Sequence, residues 1–140
     1  MATYTVTGAV AGVPLGIKPQ IIEVVLDFSS TNLTTSDTVQ AIEMKANTLV
    51  LMAGVEVVTA AGSGSPTLDL GDGDDDDLYV EDVSGSATGH EINNVAGTAK
   101  LYTAADTIDL SANTATFDGK VRVFAVIAEM GTAETAASFA

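Results

Sequence analysis

The stretch KVRVFAVIAEM, residues 120–130, alternates with a period of two. Val121, Val123, Ala125 and Ile127 fall on one face, and Arg122 and Phe124 on the other, the pattern of a strand with one face on a core. Working outward, QIIEVVLDF (residues 20–28) repeats it, with Ile22, Val24, Leu26 and Phe28 opposite Glu23 and Asp27. The longest run, Thr48–Thr59, places Leu49, Leu51, Ala53, Val55 and Val57 on one face. Its other face, Val50, Met52 and Val58, is also apolar, which predicts a central strand or one covered on both sides. These three runs nominate a core of Ile22, Val24, Leu26, Leu49, Leu51, Val55, Val57, Val121, Val123 and Ile127.

Shorter runs continue the pattern at Thr38–Lys45, Thr67–Leu70, Leu78–Val83, Lys100–Tyr102 and Thr107–Leu110, with Gly, Pro, Asn, Asp and Ser clusters between them. Gln40, Glu43, Met44 and Lys45 are good helix formers, but strands at 8–12-residue spacing on either side favour a sheet protein. The fold expected is all-β, a single jelly-roll-like β-sandwich of about eight strands spanning residues 20–131. Residues 84–98, SGSATGHEINNVAGT, are the longest aperiodic stretch. Residues 1–19 hold Gly12, Pro14, Gly16 and Pro19 and read as an extended N-terminal arm, and residues 132–140 as a short tail. Within the arm, TYTVTGAV has the composition of a strand that can add to an exposed sheet edge, so Tyr4, Val6, Val10, Val13, Leu15 and Ile17 are the candidate partner-binding residues.

One domain fits 140 residues. Five Lys and Arg against 19 Asp and Glu give a net charge of −14, a field that repels a phosphate backbone and argues against nucleic-acid binding. There is no Cys and a single His, which removes thiolate chemistry and multi-histidine metal sites. Residues 1–12 lack the basic and apolar regions of a signal peptide. The most apolar stretch, Leu49–Val58, is interrupted by Gly54 and Glu56 and is too short for a membrane helix. Neither nucleic acid nor membrane is therefore an expected partner, and synthesis in a cytoplasm is expected. Only 17% of residues are charged and 46% are hydrophobic. So low a polarity in so acidic a chain suggests surface hidden in an assembly, a homo-oligomer included.

The acidic run Asp69, Asp72, Asp74–Asp77, Glu81 and Asp82 is the most conspicuous motif. Asp72, Asp74 and Asp76 match the first three ligand positions of a calcium loop. The sharp-turn glycine position holds Asp77, however, and the twelfth position holds Val83 in place of Glu. The expectation is a solvated tip, Asp72–Asp77, that binds no specific metal, with those three aspartates as weak candidates. His90-Glu91 lacks a second His at position 94, which is Asn94, and no serine sits in a G-x-S-x-G elbow. Gly62-Ser63-Gly64 precedes no helix, and Gly119-Lys120 lacks the spacing of a phosphate loop. No catalytic constellation and no cofactor site emerges, so an enzyme is not expected.

LYTAADTIDLSANTATFDGKVRVFAVIAE, residues 101–129, resembles the closing part of small structural proteins of tailed bacteriophages, in which a Y-T-A-x-D-T-I-D-L stretch precedes a K-V-R-V-x-A-V strand. LVLMAGVEVVT and LDLGDGDDDDLYVEDV are similar to that group as well. The resemblance implies a virion structural protein, foremost a head decoration (cement) protein. Such proteins are β-sandwiches or jelly rolls that bind the outer capsid surface as trimers, with the major capsid protein as partner. A tail, baseplate or fibre module and a calcium-dependent binding domain remain as alternatives at this point.

Overall fold

The computed structural model describes residues 17–97 and 99–130. Nine strands and no helix occur among them: β1 (Gln20–Asp27), β2 (Thr38–Met44), β3 (Thr48–Thr59), β4 (Thr67–Gly71), β5 (Val80–Ser84), β6 (Gly89–Ile92), β7 (Lys100–Tyr102), β8 (Asp106–Asn113) and β9 (Lys120–Glu129). All pairings are antiparallel. The first sheet runs β1-β9-β3-β6, with β7 also paired to β3, and the second runs β2-β8-β4-β5. The chain behaves as one long ribbon folded back on itself. Its pairs β1·β9, β2·β8, β3·(β6, β7) and β4·β5 alternate between the two sheets.

Period two explains the core. β9 buries Val121, Val123, Ala125 and Ile127 toward the second sheet, where Leu68, Leu70, Ile108 and Leu110 are fully buried. Each such aliphatic side chain contributes about 1.5–3 kcal/mol when withdrawn from water. Phe28, just past β1, packs its ring edge-on against Phe117 at 5.9 Å and 73°. A reciprocal pair of backbone hydrogen bonds between Leu33 and Phe117, both 2.9 Å, closes that end.

Three sequence expectations need correction. Simple alternation puts Leu49 and Leu51 on the face of Val55 and Val57, but the register of β3 against β9 shifts between Val50 and Met52. One extra residue reverses the alternation. Val50 therefore points into the core with no exposure, whereas Leu51 is 38% exposed and Leu49 only half-buried. Second, the aperiodic stretch 84–98 contains a ninth strand, β6, short and exposed throughout. Asn93 follows it with φ 43°, accepts a hydrogen bond from Ala53 N at 2.9 Å and braces β3 beside the bulge. Third, Ile22, Val24 and Leu26 face the core but are only half-buried, because β1 is the outermost strand of its sheet. Tyr4, Val6, Val10, Val13 and Leu15 of the arm, and the tail 132–140, lie outside the described residues; Ile17 is described and is 47% exposed.

Candidate functional site

The acidic loop between β4 and β5 is not the solvated tip its composition suggests. Asp74, Asp75 and Asp76 are exposed, but Asp72 is buried, with no exposure of its side chain. Gly71 lets the loop fold back tightly, since a Cβ there would lie 2.0 Å from the Asp75 carbonyl oxygen. Asp72 Oδ1 then accepts the backbone N–H groups of Asp74 and Asp75 at 2.9 and 3.0 Å. Its Oδ2 accepts from Lys100 Nζ and from the Tyr102 hydroxyl, both at 2.6 Å. Lys100 and Tyr102 belong to β7 of the first sheet, and Asp72 directly follows β4 of the second, so the carboxylate clasps the two sheets together. The Tyr79 hydroxyl hydrogen-bonds that of Tyr102 and extends the network inward.

The electrostatics follow from these contacts. Burial alone would push the Asp72 carboxyl up, but the bonds from Lys100, Tyr102 and the two N–H groups outweigh it and hold the carboxyl below its usual range. The hydrogen bond to Asp72 in turn raises Lys100. Burial raises both tyrosines, Tyr79 to about 12. On the same sheet, burial raises Asp69, which accepts from Asp82 N at 2.8 Å and from Asn113. Burial also raises Asp109, bonded by the Thr107 hydroxyl at 2.6 Å.

The metal candidates Asp72, Asp74 and Asp76 are not brought together as a trio. Asp72 and Asp74 instead gather with Asp106, and Asp76 joins Asp75 and Asp77. At the first group the Lys100 ammonium lies 2.6 Å from Asp72 and 3.8 Å from Asp74, so a protein cation already serves those carboxylates. In the second group, a hydrogen bond with the Asp75 side chain, reinforced by the charges of Asp75, Glu81 and Asp76, raises the Asp77 carboxyl to about 6. Lys100, Tyr102 and Tyr79 escape sequence reasoning because 23–30 residues separate the bonded partners. The only local signal is that two of the chain's three tyrosines follow a leucine near charged residues.

A second feature is the outer face of the first sheet. The exposed large hydrophobic residues among those described, from Ile17, Ile21 and Val25 to Ile92, Leu101 and Met130, all lie on or beside that sheet. The Phe124 ring rests on Gly54, where a Cβ would come within 2.6 Å of it. Around it an open hollow is lined by Ile21, Glu23, Glu56, His90, Arg122 and Phe124. His90 sits opposite Glu56 across the β3·β6 pair, with no nucleophile or second histidine. Arg122 Nε lies 3.4 Å from Glu56 and 3.6 Å from Glu23. Charge is distributed unequally. The strands of the second sheet and the β4–β5 loop carry eleven acidic residues and no Lys or Arg, whereas the strands of the first carry five acidic and three basic ones.

Solved structures share the fold of this chain. A chain in the acid-stable capsid of Helicobacter pylori bacteriophage KHP30 superposes with a TM-score of 0.59 at 12% identity, over 81% of this chain and 89% of that one. A chain in the cyanophage Pam1 capsid asymmetric unit gives 0.60 at 18%, over 91% and 97%. The fold is one found in bacteriophage capsids. A chain in the capsid of Ralstonia phage GP4 agrees, at 0.61 and 11% identity, over 89% and 91%. No protein-family model and no curated protein matches the sequence. The likeness lies in the backbone and extends over almost the whole of each neighbour.

Proposed function

We propose that this chain is a non-enzymatic structural protein of a bacteriophage virion, a head decoration or cement protein that binds the outer capsid surface and stabilises it. The observation that carries the reading is the size of its neighbours. Three capsid structures each contain a chain of this fold and similar size, matched over 81–91% of this chain and 89–97% of that one. The ribbon topology supports it, since alternating pairs across two sheets are the arrangement of a jelly roll, an architecture common among capsid domains. The charge distribution supports it too. The acidic second sheet suits the solvent side, and the near-neutral apolar first sheet suits a protein partner.

On this reading the major capsid protein is the principal partner, and the protein acts as a homo-oligomer, a trimer by resemblance to cement proteins. Tyr4, Val6, Val10, Val13, Leu15 and Ile17 make the contacts of the arm. Several weak contacts joined in one oligomer raise the effective concentration at the shell and hence the occupancy. The test is addition of purified protein to particles that lack it. Co-sedimentation with heads and density on the outer shell in electron micrographs are expected, with DNA release shifted to higher temperature. Density on tails, or no binding to heads, would refute the reading.

A further inference from the structure

β1 is an edge strand of a kind that folded proteins rarely leave bare. It pairs with β9 over all eight residues without a bulge, and its other edge is unpaired among the described residues. The remaining edges are blunted. β2 is broken by a register shift between Gln40 and Ile42, β5 holds Asp82 at φ 55°, and β6 and β7 have four and three residues. On β1, Ile21 and Val25 are 75% and 51% exposed on the outer face, and Ile22, Val24 and Leu26 stay half-buried on the inner one. The sandwich is therefore short of one strand's worth of cover on this side.

We infer that the free edge of β1 receives residues 3–10 of a second copy of this chain as an added strand. Main-chain hydrogen bonds along β1 would supply affinity, and alternate side chains would supply fit. In TYTVTGAV, Tyr4, Val6 and Val10 fall on one face, suited to covering Ile22, Val24 and Leu26, while Thr3, Thr5 and Thr7 fall on the other. Charge agrees: residues 1–17 contain no charged side chain, in a chain of net charge −14. This segment can therefore approach an acidic neighbour without repulsion. Exchange between copies is the form of this contact that would also supply the self-association of the proposed function. Ile17–Pro19, which lead into β1, are exposed. The sixteen residues before Ile17 can then span up to about 55 Å when extended.

The inference rests on the self-association in the proposed function, but not on particle binding. The chain's lack of cysteine gives a clean test. Full-length Thr5→Cys, on the outer face of the added strand, carries one tag and is co-expressed with Ile21→Cys, Glu23→Cys or Val25→Cys, carrying a tag of another size, and oxidised. At least one pair is expected to give a mixed-tag disulfide dimer, because facing strand positions fall within bonding distance. In parallel, deletion of residues 2–16 is expected to convert the oligomer to monomer in sedimentation while the far-UV spectrum stays that of a β protein. Absence of the mixed dimer at all three positions would overturn the inference, as would an unchanged oligomer after deletion. A disulfide confined to single chains when both cysteines share one chain, with no mixed dimer, would do the same. Head binding by the full chain without any mixed dimer would remove the exchange and leave decoration standing, whereas a mixed dimer without head binding would do the reverse.

Discussion

Asp72→Asn should be the most damaging single-atom change available in the acidic loop. The carboxylate accepts four hydrogen bonds, two on each oxygen. An amide of the same shape keeps one acceptor oxygen and turns an NH₂ group toward two donors, whichever way it is oriented. Breaking a buried ion pair by altering one partner costs about 3–5 kcal/mol. Lys100 recovers some hydration because its side chain is 31% exposed. That places the expected loss near the lower limit, about 3 kcal/mol. With about 4 °C of melting temperature per kcal/mol for a domain of this size, the midpoint should fall by about 12 °C. Urea titration followed by tyrosine fluorescence and circular dichroism would measure it.

The pH dependence gives a second check on the same residue. The folded carboxyl of Asp72 lies below its ordinary value of 3.8, so its stabilising contribution is complete above that value. The contribution is lost as pH falls through the folded value. The gap between the two proteins should accordingly be full at pH 7 and narrow below about pH 4. A loss under 1 kcal/mol at pH 7, or a gap that does not change down to pH 2, would refute the clasp between sheets.

Other expectations follow from the same geometry. Asp69, Asp77 and Asp109 have raised folded carboxyls, so the native state takes up protons as pH falls from 7, through about 6 for Asp77. The melting temperature should therefore rise toward pH 5 before it drops below pH 4, and Asp77→Asn should flatten the upper limb of a calorimetric series; a monotonic fall from pH 7 would contradict this. Val50→Ala should cost about 2 kcal/mol and Leu51→Ala less than about 1 kcal/mol in chemical denaturation, since only the first is in the core; the reverse order would mean that the bulge in β3 is misplaced. Titration with calcium at pH 7 should show no stoichiometric heat at micromolar affinity, because the Lys100 ammonium already pairs with the buried Asp72 carboxylate and stands beside Asp74. A one-site isotherm abolished by Asp74→Asn would overturn that expectation.

Strand positions were legible wherever alternation ran for seven or more residues, and face assignments failed where a bulge reset it. β1, β3 and β9 lie within one residue of the runs that announce them, and β7 coincides with its run. Nothing in TLVLMAGVEVVT marks the extra residue near Leu51, because both faces of that strand are apolar and either phase reads well. β6 carries no hydrophobic alternation since all four of its residues are exposed; it exists through backbone pairing to Gly54–Val57. The clasp was illegible for a different reason. An aspartate among five others within six positions of sequence looks solvated, and only the folded chain brings Lys100 and Tyr102 to it from another sheet.

The uneven placement of charge bears on how an acidic protein tolerates crowding on a particle. If the eleven acidic residues of the second sheet and its loop were spread evenly, neighbouring copies would repel across every contact. Their confinement to one side leaves the first sheet with compensating pairs, Arg122 with Glu23 and Glu56, and Lys120 with Asp27 at 3.5 Å. Screening at physiological salt acts over about 8 Å. Acidic faces turned toward solvent on adjacent copies are therefore largely masked from one another, whereas charges trapped inside a contact would not be. The apolar face that remains, centred on Ile21, Val25, Met52 and Phe124, is the part of the surface where burial gains most and electrostatics oppose least. On the proposed reading the shell contact would fall on that side and the strand exchange at its β1 edge, which would leave the acidic loop, held by Asp72, to face outward.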